Sequence, residues 1–167
     1  MITKITSLLT IASLVILTSC EKQNTTESCV VINELMAVNN TTQTDQNGEY
    51  DDWIELANSC DLRLNLSGYY LSDSKSRLDK WRFPDGTTIE GGGYLIIWAD
   101  GDTLQSGLHT GFKLSSDGEK LYFTTPDLLI IDRVEYPAQS QEKAFARNPD
   151  LTGEFRWQEP TFSAPNN

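Results

Sequence analysis

The densest run of oxygen ligands in the sequence is DQNGEYDD, residues 45 to 52, which brings Asp45, Asn47, Glu49, Asp51 and Asp52 close together in the chain. Carboxylate and amide oxygens are the donors a hard cation such as Ca²⁺ takes. The run lacks the spacing of an EF-hand loop, which asks for oxygen donors at positions 1, 3 and 5, glycine at 6 and glutamate at 12. It therefore predicts a weak calcium site on Asp45, Asn47, Glu49 and Asp51, of the kind found outside cells, against the alternative of a plain solvated loop. Other metal chemistry has little to work with. His109 is the single histidine, and a zinc site would have to draw on cysteines already assigned elsewhere. A hydrogen-bonded structural role is the expectation for His109.

Catalytic motifs are missing from the sequence. No serine sits in a G-x-S-x-G elbow and no glycine-rich loop ends in Lys-Ser or Lys-Thr, so nucleophilic and phosphate chemistry have no support. Glu34, Glu55, Asp51, Asp52, Asp100 and Asp102 could supply the carboxyl pair of a glycoside hydrolase, which needs two such groups about 5–10 Å apart. Acids are so abundant in this chain that such a pair can always be imagined, and solubility explains most of them. No catalytic residue is assigned and no enzyme is expected. The tryptophans Trp53, Trp81, Trp98 and Trp157 invite a sugar-stacking reading, with Trp81 and Trp157 as candidate binding residues and Trp98 assigned to the core.

Cysteines carry the remaining chemistry. Lys4 precedes an apolar segment from Ile5 to Leu17, and Leu17-Thr18-Ser19-Cys20 then resembles the bacterial lipobox, in which a peptidase cuts before a diacylglycerol-bearing cysteine. The polar residues from Glu21 onward argue against a permanent membrane span. Residues 1–19 are thus predicted to be a lipoprotein signal peptide and Cys20 a lipidation site, with residues 20–28 as a lipidated tether. Two or three acyl chains hold a protein on a bilayer almost irreversibly, at about 0.8 kcal/mol per buried CH₂. Glu21 in the second position favours the outer membrane of a Gram-negative bacterium. In such a compartment Cys29 and Cys60 can pair, and they would meet if the strands that begin at Cys29 and end at Cys60 run antiparallel. Two unrelated thiols are the alternative.

The formal net charge is −11, and one unit more negative once Lys4 is removed. That excess repels phosphate backbones, so nucleic acid is not an expected partner. The chain that remains is the size of one domain. Short β-like runs fill it: Val30 to Val38, Trp53 to Ala57, Leu62 to Ser72, Lys80 to Phe83, Tyr94 to Ala99, Phe112 to Leu114, Lys120 to Thr124 and Leu128 to Glu135. Turn formers such as Asn47-Gly48, Pro84-Asp85-Gly86 and Gly91-Gly92-Gly93 separate them. No apolar rhythm of 3.6 residues lasts three turns, so the prediction is an all-β sandwich or barrel. Tyr94 to Ala99 is apolar on both faces and reads as a central strand. In DWIEL, the face of Trp53 and Glu55 is expected to be wet or to carry a paired acid. Residues 39 to 52 are expected to be a binding loop or disordered. Ala144 to Arg147 is a candidate last strand, and APNN reads as an unstructured end.

The runs VINELMA, DDWIELAN, NLSGYYLSD, KWRFPDGTTIEGGGYLIIWADG, LHTGFKLSSDGEKLYF and FARNPD, in this order and spacing, resemble the lamin-tail domain family in its bacterial form, from about Val31 to Pro149. The resemblance implies an immunoglobulin-like β-sandwich, placed at residues 29–152 with a C-terminal extension over residues 153–167. It further implies an interaction module without catalysis. Nuclear members are fused to a coiled-coil rod and contact chromatin, but this chain has neither a rod nor a basic face. The expected protein is a lipid-anchored envelope module that touches a protein or an envelope polysaccharide, with a lectin-like module second and an envelope hydrolase third.

Overall fold

The computed structural model describes residues 29–139 and 142–167. The predicted signal peptide, Cys20 and the tether lie outside the described residues. Among these there is no helix, and therefore none long and apolar enough to cross a membrane.

Eleven strands follow one another: β1 (Val30–Met36), β2 (Trp53–Asn58), β3 (Leu64–Asn65), β4 (Tyr70–Ser72), β5 (Trp81–Arg82), β6 (Thr88–Ile89), β7 (Tyr94–Trp98), β8 (Gly118–Thr124), β9 (Ile130–Pro137), β10 (Ala144–Asn148) and β11 (Glu154–Gln158). One sheet has the order β11-β10-β1-β2-β7 and the other β5-β4-β8-β9, with β3-β6 as a small ribbon. All of the strand pairings are antiparallel. Val30, Ile32 and Leu35 of β1, Ile54 and Leu56 of β2 and Ile97 of β7 form the buried core with Leu71, Leu121, Phe123, Val134 and Tyr136 of the opposing sheet. The result is a β-sandwich.

The parity of β1 changes once. Val30 and Ile32 face the core, the register then slips at Asn33, and Leu35 and Ala37 take over the inward positions. The bulge turns Glu34 outward, directly opposite Glu55 of β2.

Several sequence expectations are corrected. β7 is an edge strand of its sheet, not a central one. Its two apolar faces arise because the core covers one, while Ile96 and Trp98 on the other pack with Met36, Trp53 and Phe162. Its open edge is closed at Trp98, whose backbone bonds to Leu108 and Thr110. Leu62 to Ser72 is broken into β3 and β4 by a turn at Gly68, where φ is +80°. Phe112 to Leu114 is no strand, although Phe112 and Leu114 are buried. Residues 153–167 are not an appendage: β11 pairs with β10 along its whole length, and the residues after it fold back over the sheet. Asn166, in the APNN end, is itself buried.

At the end of the sandwich where β1 begins, Cys29 and Cys60 form a disulfide with Cα atoms 5.4 Å apart. Ser59 N donates to Cys29 O and Gly92 N to Cys60 O, so the bridge sits against the Gly91–Gly93 turn. Of these glycines only Gly92 has positive φ, at +63°. Gly91 is required for another reason, since a Cβ there would lie 2.1 Å from Asp61 O.

Candidate functional site

The end of the sandwich opposite the disulfide gathers the acidic loop. β1 leads into residues 39–52, β2 starts from them at Trp53, and Asp100, just after β7, lies beside them. The loop is tied down at three places. Asn39 Nδ2 donates to Gln43 O at 2.6 Å and to Asp51 O at 2.8 Å, while Asn39 Oδ1 accepts from the Thr42 and Gln43 amides. Glu142 accepts from Asn40 N and Thr42 Oγ1. Asp45 Oδ1 accepts from the Asn47 and Glu49 amides, both at 2.8 Å, closing a turn at Asn47-Gly48. A polar stretch with no hydrophobic pattern is thus held by side-chain-to-backbone bonds.

Within it, Asp45, Glu49 and Asp51 converge, each offering a carboxylate oxygen within 4.8 Å of the other two. Beside this group Asn47 Nδ2 donates to Gln105 Oε1 at 2.6 Å. Gln105 in turn donates to Glu49 Oε2 at 2.8 Å. Burial first, then the charges of Asp100, Asp45 and Glu49, raises the Asp51 carboxyl above the ordinary aspartate range. Asp52 is pushed up to about 7, chiefly by burial, with a smaller contribution from Asp51. A carboxyl of this kind exchanges a proton near neutrality, the one chemistry this end offers besides charge.

Asp51 and Asp52 line a cleft of ≈ 390 Å³ with Asn39, Tyr50, Asp100 and Lys113. Tyr50 is exposed at its rim. Behind the cleft, buried His109 is fixed on both sides: Nδ1 donates to Asp100 Oδ2 at 2.7 Å, and Nε2 takes the Gln46 amide at 2.8 Å. An Asp–His pair would need a hydroxyl or thiol at Nε2 to act as a nucleophile's base. An amide stands there instead.

A second concentration of acids joins two of the glutamates that the sequence offered among many. Glu34 and Glu55 face one another across β1 and β2 on the outer surface of the five-stranded sheet, and both are wholly buried. Glu34 accepts from Thr161 N at 2.9 Å and Thr161 Oγ1 at 2.6 Å; Glu55 accepts from Asn33 Nδ2 at 3.0 Å and Ser163 N at 2.7 Å. Asp150 completes the network, bound by Asn33 Nδ2, Tyr94 OH and Asn166 N. Burial pushes Glu55 up to about 8 and raises Glu34 in the same direction. The face of Trp53 and Glu55 is therefore dry, and carries the paired acid. Two carboxyl groups are brought together here, but the chain's own C-terminal segment lies over them through Thr161 and Ser163. The sequence signal was the odd parity of VINEL against DWIEL, which places both glutamates on the same outward face only if a bulge is allowed.

The two tryptophans named for sugar binding separate. Trp81 is 9% exposed and meets Phe83 edge-on with ring centroids 4.7 Å apart, so it has no free face for a sugar. Trp157, on the edge strand β11, is 37% exposed and tilted against Phe145. A sugar platform would have to be built on Trp157 without Trp81.

The sequence matches the lamin tail domain family over residues 23–138. This chain belongs to the lamin tail domain family. The family fold is an immunoglobulin-like β-sandwich, and the two facing sheets described above are that fold. Such domains are generally non-catalytic modules. No curated protein matches the sequence. In this lamin tail domain β10 and β11 lie beyond the matched residues, yet β10 pairs directly with β1.

Proposed function

We propose that the protein is a lipid-anchored envelope module, held by Cys20, whose lamin tail domain works by contact, presenting its acidic loop end to a protein or an envelope polysaccharide. The observation that carries this reading is the separation between the chain's point of entry and the acidic loop. The chain enters the domain at Cys29, and β1 runs from there to the opposite end, a distance of about 23 Å for seven extended residues. Near the entry stand exposed apolar side chains: Leu62 beside the disulfide, and Leu128, Leu129 and Ile130 at the tip of the β8–β9 hairpin. That tip belongs to the same end because β9 starts beside the start of β1, where Asp132 accepts from Ile32 N at 2.8 Å. Apolar tips at the tether end suit a bilayer surface. The acidic cleft with Tyr50 at its rim is then carried outward, as far from the anchor as the domain allows.

The test places a photoreactive residue at Tyr50 in the full chain on intact cells, with Leu129 as the comparison position. The expected result is a discrete macromolecular adduct from Tyr50, lipid adducts from Leu129, and loss of both in a Cys20→Ala variant released from membranes. A Cys20→Ala chain that partitions with membranes as before overturns the anchor. Tyr50 adducts no different from those at Leu129 overturn the outward-facing contact surface.

A further inference from the structure

We propose that Asp45, Glu49 and Asp51 form a Ca²⁺ site that fixes the loop of residues 39–52 and the wall of the adjoining cleft. Three observations lead to it. The three carboxylates converge within 4.8 Å, and two oxygens on opposite sides of a Ca²⁺ ion stand at most about 5 Å apart, given Ca–O distances of about 2.3–2.6 Å. Independently of that convergence, Asp45 is only 7% exposed, and its Oδ2 is buried without any hydrogen bond. Asp51 Oδ2 is in the same condition. Buried polar atoms are hydrogen-bonded as a rule, and a carboxylate oxygen kept from both water and protein donors is strongly disfavoured unless a cation meets it.

The local charge agrees. Asp100 adds a fourth acid near Asp51, and among the described residues no lysine or arginine forms an ion pair with Asp45, Glu49, Asp51 or Asp100. Asp45 divides its labour: Oδ1 is committed to the Asn47 and Glu49 amides, leaving Oδ2 for a ligand. The donor set selects the ion. Oxygen-only ligands with the single imidazole already engaged by Asp100 and Gln46 exclude a zinc-type site. Glu49 stands at the exposed side, so water completes the 6–8 ligands Ca²⁺ accepts, an irregular arrangement that Mg²⁺ tolerates poorly.

The full chain purified in detergent, stripped with chelator and titrated with CaCl₂ and with TbCl₃, decides the matter. Tyr50, between Glu49 and Asp51 in the chain, and Trp53 are close enough in sequence to sensitise terbium emission. The expected result is sensitised emission displaced by Ca²⁺, half-saturation at about 10⁻⁴–10⁻³ M Ca²⁺, and a melting temperature raised by about 5 °C at saturating Ca²⁺. Asp45→Asn keeps the oxygen that closes the turn and removes the charge, and with Asp51→Asn it should weaken half-saturation at least about tenfold each. Asp127→Asn, at the other end of the domain, should leave it unchanged. An equal response to Mg²⁺, or an undiminished response in the Asp45→Asn/Asp51→Asn double variant, overturns the site. Should the double variant not fold, absence of Ca²⁺-displaceable terbium emission from the unaltered chain overturns it equally.

Discussion

Glu55 shows how one side chain can set the response of the whole fold to pH. In the unfolded chain it ionises near 4.5, and in the folded chain burial holds its proton up to about pH 8. Between those values the folded state binds the extra proton, so this contribution is complete below about pH 4.5, falls as pH rises, and is gone above about 8. Glu34, raised by burial and by Asp150, acts in the same sense, as does Asp52 between about 4 and its folded value of about 7. Urea denaturation across this range should therefore show stability decreasing from pH 5 to 8. Glu55→Gln should flatten the slope, because an amide does not titrate over this range. A midpoint that rises over this interval in the unaltered protein would contradict a buried Glu55 that keeps its proton up to about pH 8.

At the scale of elements, the C-terminal segment is the part that sequence patterns reveal least. Phe162 packs edge-on against Trp53 at 5.2 Å and lies 5.7 Å from Trp98, closing the second apolar cluster with Met36. Phe162→Ala should cost about 3 kcal/mol, measured by chemical denaturation. Ending the chain after Gln158 should do more, opening Glu34 and Glu55 to water and speeding hydrogen exchange in β1 and β2 at their centres. Protection in β1 and β2 that survives the truncation would mean the segment is decoration. TFSAPNN has no periodicity because its grip comes from backbone amides, one hydroxyl, one ring and the Asn166 side-chain amide, none of which leaves a pattern. The long strands β1, β2, β7, β8 and β9 were legible because each is a run of five or more residues rich in β-formers, bounded by turn residues. Two-residue strands such as β3, β5 and β6 are too short to alternate, and β11 reads EFRWQ, charged residues set among aromatics on an exposed edge. The edge position of β7 was illegible for another reason: the sequence reports that both faces are apolar, and is silent on whether a loop or a neighbouring strand closes the edge. At the acidic loop the ligand types could be read directly, whereas the bond that ties Asn47 to Gln105 could not, because Gln105 is distant in the chain.

For the whole molecule, the disulfide and the acidic end act from opposite poles. Cys29 and Cys60 close a loop with a sequence separation of 31 that contains the acidic residues, and the closure should contribute about 3.5 kcal/mol on a chain-entropy basis. Non-reducing peptide mapping should recover the two cysteines joined, and Cys29→Ala/Cys60→Ala should lower the unfolding free energy by about that amount without abolishing the sandwich. Two alkylatable thiols in the native protein would rule the bridge out. The order β11-β10-β1-β2-β7 has a further consequence for biogenesis. β1 is flanked on one side by β2 and on the other by β10, so a nascent chain holds an incomplete sheet until residues 144–148 have been made. Delayed closure of this sort keeps a polypeptide open for longer than a fold assembled from consecutive hairpins would.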